Sequence, residues 1–136
     1  MPTDKETTLA EAIAHFEGFY LTEEEARRQN RHWPTIPQRL NNPGDLVFRD
    51  QPFSTDGPVT GFDGVVRHYA KFDTVEHGWE ALYRQIELDA GRGLTLWQFV
   101  NKYAPAADAN NPNEYFAFVA HKLDAKPTDL LSAVIA

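Results

Sequence analysis

Apolar positions recur at helical spacing along much of the chain. Leu9, Ile13, Phe16 and Tyr20 are separated by four, three and four residues, which places them on one face of a helix. Thr8 followed by Glu11 has the form of a capping box, and Gly18 that of a C-cap. A helix is therefore expected at about 8–18, with residues 1–7 a frayed start. The run EEEARRQ is rich in helix formers and predicts a short helix at about 22–30, and Pro34 and Pro37 bound the segment after it. Val75, Trp79, Leu82 and Ile86 make the next stripe, over about 74–90, with Asp73 and Glu76 as its capping pattern and Gly91 and Gly93 closing it. Thr95 and Gln98 cap a shorter helix carrying Leu96, Phe99, Val100 and Tyr103, which Pro105 stops. Asn111, Pro112 and Glu114 supply an N-cap, a proline at the first helical position and a capping-box glutamate. The stripe Tyr115, Phe118 or Val119, and Leu123 comes next, and Pro127-Thr128 start a last turn or helix through Leu130, Leu131 and Val134.

Between the second and third stripes the pattern changes. NNPGD and QPFSTDGPVTGFDG are dense in turn residues. Within this stretch Leu46–Phe48 and Val65–Phe72 have strand character and are expected to form a small hairpin or sheet. The order is thus helices, a loop-rich β element, then three or four helices. That is an α+β fold, mostly α, in a single domain over residues 1–136. A long loop in a compact domain tends to carry function, which singles out 41–72.

Composition narrows the chemistry. A length of 136 residues with 42% apolar content suits one domain with one core. No apolar run reaches the roughly 18–20 residues of a membrane span, and no signal peptide is visible, so compartment stays open. The absence of cysteine excludes disulfides, thiolate metal sites and a cysteine nucleophile. Net charge is −7, and the densest basic group, Arg27, Arg28, Arg31 and His32, follows Glu23, Glu24 and Glu25. A solvated mixed-charge face explains it better than nucleic-acid binding. His15, His32, His68, His77 and His121 show no metal-ligand spacing, and no HExxH, GxSxG or phosphate-binding glycine loop occurs. GRGLT at 91–95 reads as a helix–helix turn. Neither a metal nor a cofactor is expected.

Four segments in sequence order carry a resemblance: AHFEGF at 14–19, NNPGDLVF at 41–48, HYAKFDTVEHGWEALYRQI at 68–86 and YAPAADANNPNEYFAFVAHKL at 103–123. Together they resemble the lysozyme-like superfamily of peptidoglycan-cleaving enzymes, notably virion-type lytic transglycosylase and glucosaminidase domains. The likeness spans about residues 9–125. It implies a lysozyme-like helical fold and a catalytic general acid at Glu17, the glutamate ending the first helix. It implies that Asn42, Pro43, Gly44 and Asp45 form part of a cleft floor, with Asp45 standing where the family usually has Asn. Phe72, Thr74 and Gly78, and Tyr103, Ala104 and Pro105, match two further motifs. The implied partner is the glycan strand of peptidoglycan, and the implied setting a cell wall, periplasm or virion.

The residues themselves are compatible with that chemistry. Glycoside cleavage needs an acid that protonates the leaving oxygen, and a carboxyl serves at neutral pH only if its surroundings disfavour the charged form. Glu17 follows Phe16 at the edge of an apolar stripe, at the negative end of a helix, and Gly18 leaves room for a sugar. By itself the position equally suits an ordinary exposed glutamate. For a second carboxylate, Asp73 reads as a helix cap and Asp56 and Asp63 as Asp-Gly turns, leaving Asp45 and Asp50. As no second acid stands out, the single-glutamate transglycosylase route is favoured. Asn41, Asn42, Asp45, Tyr69 and Tyr103 are the substrate-binding candidates, while Trp79 and Trp97 read as core. Two other readings stay open: a non-catalytic binding or structural module of this fold, and a glucosaminidase drawing a second carboxylate from 45–63. Repulsion between an acidic protein and an anionic wall counts against an enzyme.

Overall fold

The computed structural model describes residues 2–103 and 111–136. The chain is α+β and mostly helical. Its elements run α1 (Asp4–Glu17), α2 (Glu23–Arg28), α3 (Ile36–Arg39), β1 (Ser54–Thr60), β2 (Val66–Phe72), α4 (Val75–Gly91), α5 (Leu96–Tyr103), α6 (Pro112–Leu123) and α7 (Leu131–Val134). Backbone packing divides the chain into two compact units, Met1–Phe16 with Tyr83–Ala136, and Glu17–Leu82.

In the first unit α1 begins at Asp4, before the expected start at Thr8, so residues 4–7 are helical rather than frayed. Thr3 is the reason. Its hydroxyl accepts from the Glu6 N–H at 3.0 Å and donates to the Ile135 carbonyl, while the Thr8 hydroxyl donates to the Asp4 carbonyl within the helix. Leu9 and Ile13 are fully buried, as are Ile86, Leu96, Val100, Val119 and Leu131. Each such side chain contributes roughly 1.5–3 kcal/mol by leaving water. The Phe16 ring lies tilted against the buried Tyr115 ring, their centroids 4.1 Å apart.

The expected cap of α5 is present as a reciprocal pair, Thr95 N–H to Gln98 and Gln98 N–H to Thr95. Asn111 caps α6 through the Asn113 and Glu114 N–H groups. The stop assigned to Pro105 lies outside the described residues. The last helix starts at Leu131, later than Pro127-Thr128, because Leu130 is extended and bridges to Thr95.

Two buried acids in this unit are handled differently. Asp89 is 2% exposed and accepts from Lys102, Gln85 and Arg92. Burial alone would raise its pKa, but those three donors together hold it below the ordinary range. Glu6 is 4% exposed, and burial followed by a bond to Glu87 and that residue's charge pushes its pKa up. A carboxyl raised in the folded state contributes stability below its unfolded pKa and loses it as pH rises through the folded value. Replacement Glu6→Gln removes this loss. We expect the variant to melt higher than the wild type at pH 7 and without advantage at pH 4, in paired thermal scans.

In the second unit α2 and α3 are each opened by a complete capping box, Thr22 with Glu25 and Thr35 with Gln38. The strand expected at Val65–Phe72 is β2, but its main partner is β1, in the stretch read as loop. The antiparallel register runs from Ser54 opposite Phe72 to Thr60 opposite Val66. Pro58 is tolerated because, among the described residues, β1 pairs on one side alone, where a missing donor can face outward. Leu46–Phe48 makes no strand; it is reduced to the bridge Val47–Tyr69 with flanking bonds Phe48 N–H to His68 and Ala70 N–H to Leu46. The cap of α4 is Thr74, whose hydroxyl accepts from the His77 N–H at 3.2 Å; Asp73 instead holds the Thr74 N–H and the His77 ring.

Candidate functional site: a carboxyl pair beside Gly18

The site lies wholly within Glu17–Leu82. Glu17 is the last residue of α1 and is half-buried. Gly18 follows at φ +91°, a conformation that side chains with a Cβ seldom adopt, and it turns the chain sharply out of the helix. Three side chains then hold the carbonyls of the turn. The Thr35 hydroxyl donates to Gly18 O at 3.0 Å, Gln38 donates to Phe19 O and Leu21 O, and the Trp33 indole donates to Leu21 O. The capping residues of α3 thus also fix the exit from α1.

The floor of the site is the NNPGD loop. Asn42 is fully buried, and its side-chain amide donates to Leu46 O at 3.0 Å and Ala70 O at 2.9 Å while accepting from Leu46 N–H at 2.9 Å. Pro43 and Gly44 form the centre of a turn closed by Asp45 N–H on Asn42 O. Asn41 and Asp45 both take φ of +52°, which Asn and Asp tolerate better than other side chains with a Cβ. Asn41 donates to Phe72 O at 3.1 Å, and its own carbonyl lies where a Cβ on Gly78 would fall.

This loop brings Asp45 into hydrogen-bond contact with Glu17. Asp45 keeps some surface exposed, but its Oδ1 atom is closed off from solvent and has no hydrogen-bond partner among the described residues. Burial pushes the Asp45 pKa up to about 7, against the opposing pull of the Glu17 bond and the Arg31 charge. A bond between two carboxyl groups requires a proton on one of them. With Asp45 pushed up to about 7, the pair shares such a proton into the neutral range. The Arg31 guanidinium also covers Gly18, with Nη2 2.8 Å from the position a Cβ there would take. The room expected beside Gly18 is therefore filled by Arg31.

The other residues singled out from the sequence take varied places. Asn42 is a structural residue with no surface to offer a substrate. Tyr69, on β2, is half-buried opposite Gly57. Tyr103 belongs to the other unit, where its ring packs at 5.5 Å from Phe99 and 6.5 Å from Tyr115; Ala104 and Pro105 lie outside the described residues. Trp79 meets Phe19 edge-on at 5.7 Å, and Trp97 meets Phe116 at 5.4 Å. Asp56 holds the His68 ring, Asp63 pairs with Arg67 at 3.0 Å, and Asp50 is exposed in a left-handed turn. The site residue that sequence reasoning misses is Arg31. Its neighbours Arg27 and Arg28 make exposed pairs with Glu23 and Glu24, as a solvated face would. Arg31 lies beyond the helix, its N–H bonded to Ala26 O, and its exposed side chain reaches over Gly18.

Among the described residues no group of three or more His, Asp and Glu is placed to hold a metal ion, and no helix is long and apolar enough to cross a membrane. Comparison with protein-family models, with curated proteins and with solved structures gives no match.

Proposed function

We propose that the chain is a peptidoglycan-cleaving glycosidase of the lytic transglycosylase or muramidase kind, with Glu17 as its general acid. One observation carries the reading: the glutamate that ends α1 is hydrogen-bonded to a shielded carboxyl whose pKa burial pushes up to about 7, so that the pair keeps a proton into the neutral range. Such a proton is what a glycosidic leaving oxygen requires. The pair also bears on the route. Two carboxyls that flank a sugar stand roughly 5–5.5 Å apart in retaining enzymes and 6.5–9.5 Å apart in inverting ones. Glu17 and Asp45 are in direct hydrogen-bond contact, closer than either geometry. That spacing disfavours Asp45 as nucleophile or base, and with it the glucosaminidase reading, which needs such a carboxylate from 45–63. A single acid leaves the attack to a hydroxyl of the substrate, with an anhydro sugar as product.

The second reading, a non-catalytic module of the same fold, is favoured by Arg31 over Gly18, which occupies the sugar's approach. Incubating wild type and Glu17→Gln with peptidoglycan sacculi separates the two. The glycosidase reading expects soluble muropeptides from wild type, with anhydro ends by mass, and a loss of about 100-fold or more in Glu17→Gln, the usual contribution of a general acid. No release from folded wild type would leave the binding module.

A further inference from the structure

The structure gives Asp45 two properties that a cleft-floor residue does not need. It is held in a left-handed backbone conformation, and one of its carboxyl oxygens is shut away from solvent without a partner. The backbone is not adrift. The turn bond to Asn42 O, the buried Asn42 amide and the Leu46 backbone fix the loop on both sides of it. An isolated buried carboxyl is costly, so its retention here calls for a role in which the second oxygen is engaged. That engagement is with Glu17.

We propose that Asp45 is the positioning residue for Glu17: the two carboxyls share one hydrogen, which keeps a proton on the pair and fixes the orientation of the acid. The inference rests on the glycosidase reading for its purpose, but the proton itself is measurable without any substrate. Asp45 does this where a neutral amide would not. An asparagine at the same position can turn its N–H₂ toward Glu17 and so favour the ionised form, whereas two carboxyls can bond only by sharing a proton. The ionisable groups acting on Asp45 are Glu17, from the end of α1, and Arg31, from the segment after α2. From within the loop and from β2 the neighbours of Asn42 are the neutral backbone groups of Leu46 and Ala70. Arg31 sets the level at which the pair titrates by favouring the ionised Asp45.

The test variant is Asp45→Asn. It keeps a residue type that tolerates φ near +52° and changes one atom, so the fold is expected to survive. Carboxyl carbon shifts of Glu17 and Asp45 are followed by NMR from pH 3 to pH 10 in wild type, Asp45→Asn and Arg31→Met. In wild type the two carbons are expected to respond together, with a step near neutral pH. In Asp45→Asn Glu17 is expected to titrate alone at lower pH, and in Arg31→Met the shared step moves to higher pH. With sacculi, the alkaline limb of the Asp45→Asn rate profile should move to lower pH, so that kcat falls about tenfold or more at pH 7 and recovers at pH 5, with KM unchanged. A Glu17 carbon that titrates identically in wild type and Asp45→Asn overturns the inference. Coupled titration in a wild type that releases no muropeptides leaves the inference standing and removes the glycosidase reading.

Discussion

Gly78→Ala is expected to cost about 3 kcal/mol or more, and to lower the melting temperature by roughly 10 °C. A Cβ at this position would lie 2.0 Å from the Asn41 carbonyl oxygen and 2.9 Å from Pro43 Cδ. Neither is the end of a flexible side chain. The oxygen belongs to a backbone held by the Asn42 N–H on Pro37 O and by the Asn41 amide on Phe72 O. The loop cannot yield alone, and α4 cannot retreat without uncovering Leu82, which is fully buried. In an exposed helix the same substitution would be stabilising by about 1 kcal/mol, so the sign alone is diagnostic. A denaturant titration in which Gly78→Ala equals or exceeds wild type would show that the NNPGD loop does not pack on α4 in this way. Gly91, with nothing within 4 Å of its added Cβ, serves as the control and should lose nothing on replacement by alanine.

Helices are legible in the sequence where a stripe and a cap coincide. The α5 start at Thr95 and the α6 start at Asn111 are both present as read. The α1 start is displaced because its cap depends on Thr3, whose hydroxyl also reaches Ile135 across the length of the chain, a contact that no local pattern records. β1 escapes a sequence reading for a related reason. Gly57 and Pro58 read as turn chemistry, yet glycine suits position 57, where an added Cβ would lie only 3.1 Å from the Tyr69 carbonyl and 3.2 Å from Leu40. Strand identity there comes from the partner strand and not from the segment's own propensity.

The site divides in the same way. Glu17 stands out through its place at the end of a stripe, and Asp45 through a motif. Their meeting, and the burial that makes it matter, depend on how the 41–48 loop is folded over Asn42 and on where Arg31 is directed after α2. Residue types can be read from a sequence, but a shared proton is a property of distance and solvent exclusion. This is also why spacing cannot rank the five aspartates that compete as a second acid. Asp56, Asp63 and Asp73 are each engaged by a basic neighbour, His68, Arg67 and His77, on the same unit's surface.

Asn42→Ala is expected to destabilise by about 3 kcal/mol, because it strips the Leu46 N–H of its acceptor in a fully buried place and opens a void between the loop and β2. Asn42→Asp carries a sharper signature. Its carboxylate still accepts from Leu46 N–H but faces the Leu46 and Ala70 carbonyls to which the amide now donates. Those oxygens and the burial both disfavour the charged form, so the folded-state pKa of the new acid must be raised. Stability is then greatest below the ordinary aspartate pKa, where the protonated acid can donate to one carbonyl, and falls as pH rises toward the folded value. Urea titrations at pH 4 and pH 7 should therefore show a small deficit against wild type in acid and a deficit of about 3 kcal/mol or more at neutrality. Equal deficits at both pH values would mean that the amide donor bonds contribute little and that Asn42 holds the loop by shape alone. In the expected case the Glu17–Asp45 contact is lost with the loop. Both variants should then lose the coupled carboxyl titration at pH 7 even where enough folded protein remains to measure it.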